Sequence, residues 1–117
     1  MTRILLVEDE MLVRELALED LAEAGFDVSP ASDGDRAMAI LEEDQAFDLL
    51  FTDIKMPSSI DGRELAEQAK RLIPGLKVIY ASGLADVAPA GEDERYLPKP
   101  YRRETLLALL DELGLNP

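Results

Sequence analysis

The chain contains no cysteine, no histidine and no tryptophan. Without cysteine there is neither a disulfide nor a thiolate metal site. Without histidine it can be neither a histidine kinase nor a phosphohistidine carrier, and Ser-His or Cys-His catalytic pairs are excluded. Any histidine chemistry has to come from a partner. Cations are also scarce: 12 Lys and Arg against 25 Asp and Glu leave a net charge of −13. Nucleic-acid phosphates and anionic membrane surfaces repel such a chain, which argues against both as partners. No apolar run approaches the roughly 20 residues of a membrane span. The first run, Ile4 to Val7, turns acidic at Glu8 and is too short for a signal-peptide core. A cytoplasmic location is the default expectation. What remains is a composition of 47% hydrophobic and 32% charged residues over 117 positions. That is enough to bury a core, and one domain over residues 1–117 is expected.

The stretch that organises the rest is Leu49-Leu50-Phe51-Thr52-Asp53-Ile54-Lys55-Met56-Pro57. A short apolar run bounded by a turn reads as a strand buried on both faces. The carboxylate at its end, Asp53, then emerges above the sheet, where open parallel sheets place ligands and chemistry.

Ile4–Val7 reads as strand one, with Glu8-Asp9-Glu10 at its C-terminal end. Leu12, Val13, Leu16, Leu21 and Ala24 recur at helical spacing, and Gly25 stands where that helix should be capped. Phe26–Ala31 is a weaker strand, which Pro30 places at a sheet edge or at its own end. Asp33-Gly34 opens a second helix, and Asp48–Asp53 is strand three. Asp61 is a good N-cap for a helix from Gly62 to Ile73, ended by Pro74-Gly75. Lys77–Ala81 is strand four, followed by Ser82-Gly83. Arg95–Pro98 is a short strand five running into Lys99-Pro100, and Leu106, Leu107, Leu110 and Leu113 form the stripe of a last helix closed by Gly114. Residues 84–94 should hold a crossover helix. Pro89 and Gly91 interrupt it, at costs of about 3 and about 1 kcal/mol in a helix interior, so this fourth helix is expected to be short or distorted.

Strands alternating with helices imply an α/β fold with right-handed crossovers. A doubly wound five-stranded parallel sheet takes the order 2-1-3-4-5. Strands one and three are then neighbours, and Glu8, Asp9 and Asp53 converge, with Ser82 and Lys99 completing a ring. Three carboxylates brought together repel one another unless a cation joins them. Oxygen-only ligation selects a hard ion, Mg²⁺ first and Mn²⁺ as a substitute. A lysine ammonium and a hydroxyl facing that ion make a site for a phosphoryl group, and the carboxylate beside it can act as a nucleophile.

In a chain this acidic, Glu8-Asp9-Glu10 would ordinarily be a solvated loop, Asp53 and Ser82 turn residues, and Lys99 a surface lysine. Their common position at successive strand ends favours the site. Over essentially its whole length the chain resembles a response-regulator receiver domain, of flavodoxin/CheY-like fold. The resemblance rests on Glu8-Asp9, on Asp53 in Thr-Asp-Ile-Lys-Met-Pro, on Ser82 in Ala-Ser-Gly, and on Lys99 in Lys-Pro-Tyr.

That resemblance implies that Asp53 accepts a phosphoryl group. Mg²⁺ would be held by Glu8 (through water), Asp9, Asp53 and the backbone carbonyl of Lys55. Ser82 and Lys99 would bond phosphoryl oxygens, Lys99-Pro100 would be a cis peptide bond, and Tyr96 would stand at the aromatic switch position. The implied donor is a phosphohistidine on a histidine kinase or histidine phosphotransferase, whose helices dock near Met11 and Leu12 and near Pro100 and Tyr101. The positions two residues beyond Asp53 and Ser82, namely Lys55 and Leu84, would tune phosphate lifetime. With no room for an output domain, a single-domain regulator, a phosphate shuttle or sink, or a receiver from a hybrid kinase is expected, closest to the hybrid-kinase type. The switch would catalyse only its own phosphorylation and dephosphorylation.

Other classes fit less well. A haloacid-dehalogenase-like phosphatase wants a second Asp where Lys55 stands, a flavodoxin wants a phosphate-cradling loop where three acids stand, and a P-loop is absent. The competing reading is a receiver-like module that binds a protein without being phosphorylated. Two departures from the family bear on the site. Ser58-Ser59-Ile60 lengthens the loop after Pro57, and the span from Ser82 to Lys99 is shorter than usual.

Overall fold

In the computed structural model, described for residues 1–83 and 91–117, five strands form one parallel sheet in the order β2-β1-β3-β4-β5. The strands are β1 (Arg3–Val7), β2 (Asp27–Ala31), β3 (Leu49–Asp53), β4 (Lys77–Ser82) and β5 (Glu94–Pro98). The helices among the described residues are α1 (Met11–Glu23), α2 (Gly34–Glu43), α3 (Gly62–Leu72) and α4 (Arg103–Glu112). The expected order is present, with Pro30 on the edge strand β2, where its missing N–H interrupts no second ladder. The crossover helix expected over residues 84–94, and Leu84 with it, fall largely or wholly outside the described residues. Among the described residues, no helix is long and apolar enough to cross a membrane.

The central strands are buried almost throughout, and each face of the sheet carries its own core. Leu5, Val7, Leu50, Val78 and Tyr80 pack with Leu41 of α2 and Leu65 and Ala69 of α3. Ile4, Leu6, Phe51 and Ile79 pack on the other face with Ala17 and Leu21 of α1 and Leu106 and Leu110 of α4. Full burial of such side chains contributes roughly 1.5–3 kcal/mol each, so this two-sided core fixes the register that brings the strand ends into line. The helix starts follow from local chemistry. Asp33 accepts from the Arg36 N–H at 2.8 Å and Asp61 from the Glu64 N–H at 2.9 Å, satisfying donors the helices leave open.

One part of the sequence reading needs correction. The α1 stripe of Leu12, Val13, Leu16, Leu21 and Ala24 is not a single core-facing row. Ala17 and Leu21 are the buried residues, whereas Met11, Leu12 and Leu16 are 58%, 70% and 64% exposed. Ala17 and Leu21, four residues apart, form the face of α1 that meets the sheet, whereas Leu12 and Leu16, also four apart, lie on an adjacent face turned outward. Smaller shifts concern ends. β2 begins at Asp27 because Phe26 closes the preceding turn through an N–H to Leu21 O bond, and Ile73 is the C-cap of α3 rather than its last residue.

The α3 start also requires a glycine. A Cβ on Gly62 would lie 2.1 Å from the Asp53 carbonyl oxygen, and the Gly62 N–H donates to Ile54 O at 2.7 Å. Glycine to alanine at an unencumbered helix position gains up to about 1 kcal/mol. Here Gly62→Ala should instead lower stability by about 2 kcal/mol or more, because backbone rather than a flexible side chain has to move. Urea unfolding of the two proteins measures it, and an unchanged or raised midpoint would show that the helix start can shift without cost.

Candidate functional site

The parallel pairing of Val7 with Thr52 and of Asp53 with Ala81 puts the ends of β1, β3 and β4 side by side. Glu8, Asp9 and Asp53 each present a carboxylate oxygen within 4.8 Å of the others. Ser82, the last residue of β4, is buried there, and Lys99 follows β5. The Lys99–Pro100 peptide bond is cis. The Lys99 ammonium lies 2.6 Å from Glu8 Oε1 and 3.2 Å from Asp53 Oδ2. All five residues that the sequence placed on the ring therefore come together.

Glu8 is the most constrained. Its side chain is only 5% exposed. Oε1 accepts from Lys99, Oε2 accepts from the Glu10 N–H at 3.1 Å, and its own N–H donates to Ala31 O. Asp9 is the more open of the pair. Asp53, with a side chain 13% exposed, has its carboxyl pushed up to about 6 by burial and by the negative charge of Glu8, with Lys99 opposing. Burial disfavours the Lys99 ammonium, yet the hydrogen bond to Glu8 and the charges of Asp53 and Glu8 raise its pKa overall. The site holds more negative charge than one lysine balances. Its donors are all oxygens, two of its acids are already bridged by a cation, and the third is open. That set fits a hard divalent ion.

Two expected residues stand at the margin. Lys55 lies in the loop after β3 with its side chain exposed. Tyr96 on β5 is half-buried against the core, and its hydroxyl donates to the Ser82 carbonyl at 3.2 Å, an oxygen that also accepts the Lys99 N–H. The extra loop residues fold onto α2, where Ser58 Oγ accepts from the Gly34 N–H and the Ser59 N–H donates to Asp35. One neighbour of the site went unread in the sequence. Arg14 donates to the Glu8 carbonyl at 2.8 Å, and a cation six residues past an acid, across a turn, carries no recognisable spacing.

Beside the site a groove of about 430 Å³ runs between α1 and the segment after β5, lined by Val13, Leu16, Ala17, Asp20, Pro100 and Tyr101 with the Lys99 stem. The Tyr101 ring meets Phe51 edge-on, centroids 5.9 Å apart, which anchors that wall. Exposed Met11, Leu12 and Leu16 extend the apolar surface outward.

Comparison with known proteins agrees with this geometry. Residues 4–111 match the family described as response regulator receiver domain. The response regulator receiver protein CpdR of Brucella abortus is 36% identical over 118 residues, 97% of this chain and 97% of that protein. The crystal structure of the receiver domain from the hybrid histidine kinase CckA superposes with a TM-score of 0.82 at 36% identity, covering 95% of this chain and 98% of that one. The response regulator TrrA of Thermotoga maritima, solved in complex with Mg²⁺ and BeF, gives a TM-score of 0.80 at 28% identity over 97% and 99% of the two chains.

The raised carboxyl of Asp53 has a consequence for stability in metal-free solution. Between pH 4 and 6 the folded chain holds a proton on Asp53 that the unfolded chain has released. Stability contributed by this group therefore falls as pH rises through that window. Asp53→Asn removes the penalty. With chelator present, the variant should melt higher than the parent at pH 7.5, by on the order of 1 kcal/mol or about 4 °C after solvent screening. The gap should close towards pH 4. A constant gap across that range would mean that Asp53 is ionised throughout.

Proposed function

Because the chain belongs to the response-regulator receiver family, we propose that Asp53 accepts a phosphoryl group from a partner's phosphohistidine, in a Mg²⁺-dependent reaction that switches the domain between two conformations. The observation that carries this reading is the Lys99 ammonium set between Glu8 and Asp53 at the common end of the strands. As a receiver, the protein is a signalling switch rather than a classical enzyme.

In the transfer, an Asp53 carboxylate oxygen forms a bond to phosphorus as the phosphorus–nitrogen bond of the donor breaks. The electron pair leaves on the imidazole nitrogen, which is protonated from solvent. Lys99 pairs with a phosphoryl oxygen, and Ser82 donates to another. Glu8, Asp9, Asp53 and the Lys55 carbonyl would hold Mg²⁺, which when bound neutralises charge on the transferring oxygens. Once phosphate occupies Asp53, Lys99 and Ser82 gain contacts that the unphosphorylated state lacks, and only such differential contacts shift a two-state equilibrium. Tyr96, tied through its hydroxyl to the Ser82 carbonyl, is the aromatic that would follow Ser82. Lys55, exposed two residues beyond the acceptor, would alter phosphate lifetime.

The donor is a histidine kinase or histidine phosphotransferase. Its helices would lie along Met11, Leu12 and Leu16 with a side chain in the groove at Pro100 and Tyr101, bringing the imidazole to Asp53. The expected setting is cytoplasmic, apart from nucleic acid and membrane.

Incubation with acetyl phosphate and Mg²⁺, read by intact mass, should add one phosphoryl group to the parent and none to Asp53→Asn or to the parent in chelator. The absence of any adduct on a folded, metal-competent protein would favour the unphosphorylated binding module. With a phosphohistidine donor, Leu12→Asp should slow transfer about tenfold, the value of one well-packed interface leucine. Labelling by acetyl phosphate should be unchanged. Equal loss with both donors would remove the docking surface from α1.

A further inference from the structure

We propose that Arg14 is a positioning residue of the acidic centre, fixing the peptide plane that joins Glu8 to Asp9 and thereby the divalent-ion affinity of the site. The inference rests on the metal-dependent reading of Glu8, Asp9 and Asp53 given above.

Glu8 is the first residue beyond β1, so its carbonyl has passed the end of the strand ladder. It accepts instead from Arg14 Nη1 at 2.8 Å, a charge-assisted bond of the stronger class. The Glu8 carbonyl and the Asp9 N–H belong to one rigid peptide unit. Holding that carbonyl therefore sets the direction in which the chain leaves Glu8 and the place where the Asp9 side chain begins. The other bonds of Glu8 hold its own carboxylate: Lys99 on Oε1, the Glu10 N–H on Oε2. Arg14 alone among these partners acts on the link to Asp9. The same guanidinium brings positive charge to a cluster that one ammonium leaves underbalanced.

The local frame makes Arg14 fit for this. Its backbone N–H is engaged by Glu10 O in the first turn of α1, so the side chain starts from a fixed point one turn from the acids' loop. It lies along the wall of an open groove of about 400 Å³ with Ser32, Arg36 and Ile40, so a side chain of similar length replaces it without a clash. Partners that orient metal ligands typically govern affinity by 10–100-fold.

The test is Mn²⁺ binding to the whole chain, followed by the electron paramagnetic resonance signal of free Mn²⁺, for the parent, Arg14→Met, Arg14→Lys and Asp9→Asn. Methionine keeps the length and helix propensity of arginine and removes both donor and charge. Arg14→Met should weaken Mn²⁺ binding about tenfold, and Arg14→Lys, which restores a charged donor, should stay within about threefold of the parent. Melting in chelator supplies the second readout. A purely structural arginine would lower the melting point in Arg14→Met and leave Mn²⁺ affinity unmoved. Parent-like affinity in Arg14→Met together with loss in Asp9→Asn overturns the role of Arg14. Parent-like affinity in Asp9→Asn overturns the metal-dependent reading beneath it.

Discussion

The charge balance at the end of the sheet is the constraint on which the rest depends. Three carboxylates approach within 4.8 Å, and one ammonium bridges two of them. At an effective dielectric of 20, each like-charged pair at that separation costs roughly 3 kcal/mol. No local sequence would gather these groups by itself. The gathering is imposed by a sheet whose central strands are apolar along nearly their whole length, and burial first, then the charge of Glu8, push the Asp53 carboxyl up to about 6. A stable core is thus what makes the acidic ring sustainable. The two faces built from Leu5, Leu50 and Leu65 and from Ile4, Phe51 and Leu106 are part of the chemistry of Asp53.

Burial then divides labour between the two adjacent acids. Glu8 faces inward and is tied through both carboxylate oxygens, while Asp9 stays open. Identical charge at neighbouring positions is therefore not identical function. The buried group fixes Lys99, and the open one is available to a cation from solvent. A side chain engaged as Glu8 is would meet an ion more readily through water than directly, in keeping with the outer position that its family resemblance assigns it.

Much of this was legible in the sequence because it depends on local rules. Asp61 and Asp33 read as caps and act as caps, Pro30 reads as an edge and lies on one, and short apolar runs ending in Glu8-Asp9, Asp53 and Ser82 give both the strands and the ring. The illegible features are those decided by three-dimensional approach. Helical spacing groups Leu12 and Leu16 with Leu21 and cannot tell that α1 turns the Ala17–Leu21 face to the sheet and leaves the other two outside. Gly62 looks like the ordinary companion of an N-cap, whereas its lack of a Cβ lets α3 meet the Asp53 carbonyl. Arg14 is an unremarked cation until the turn at Glu8 folds it back.

A second buried charge, also unread in the sequence, shows how the sheet's other half is held. Glu94 opens β5, only 7% exposed. Lys70 of α3 reaches it at 2.6 Å, and the Tyr80 hydroxyl lies 3.4 Å from the same oxygen. The Arg63 guanidinium covers the Tyr80 ring at 4.6 Å. Buried ion pairs contribute little net stability, since desolvation offsets their attraction. Unlike a hydrophobic contact, though, this pair loses most of its attraction if β5 shifts by a residue. That matters because Tyr80 pairs in register with Tyr96, and Ser82, two residues on from Tyr80, carries the carbonyl to which Tyr96 is bonded. The cluster around Glu94 thus fixes the strand from which Tyr96 and Lys99 reach the site. Apolar packing brings the acids together, while directional polar contacts hold the strand that answers them.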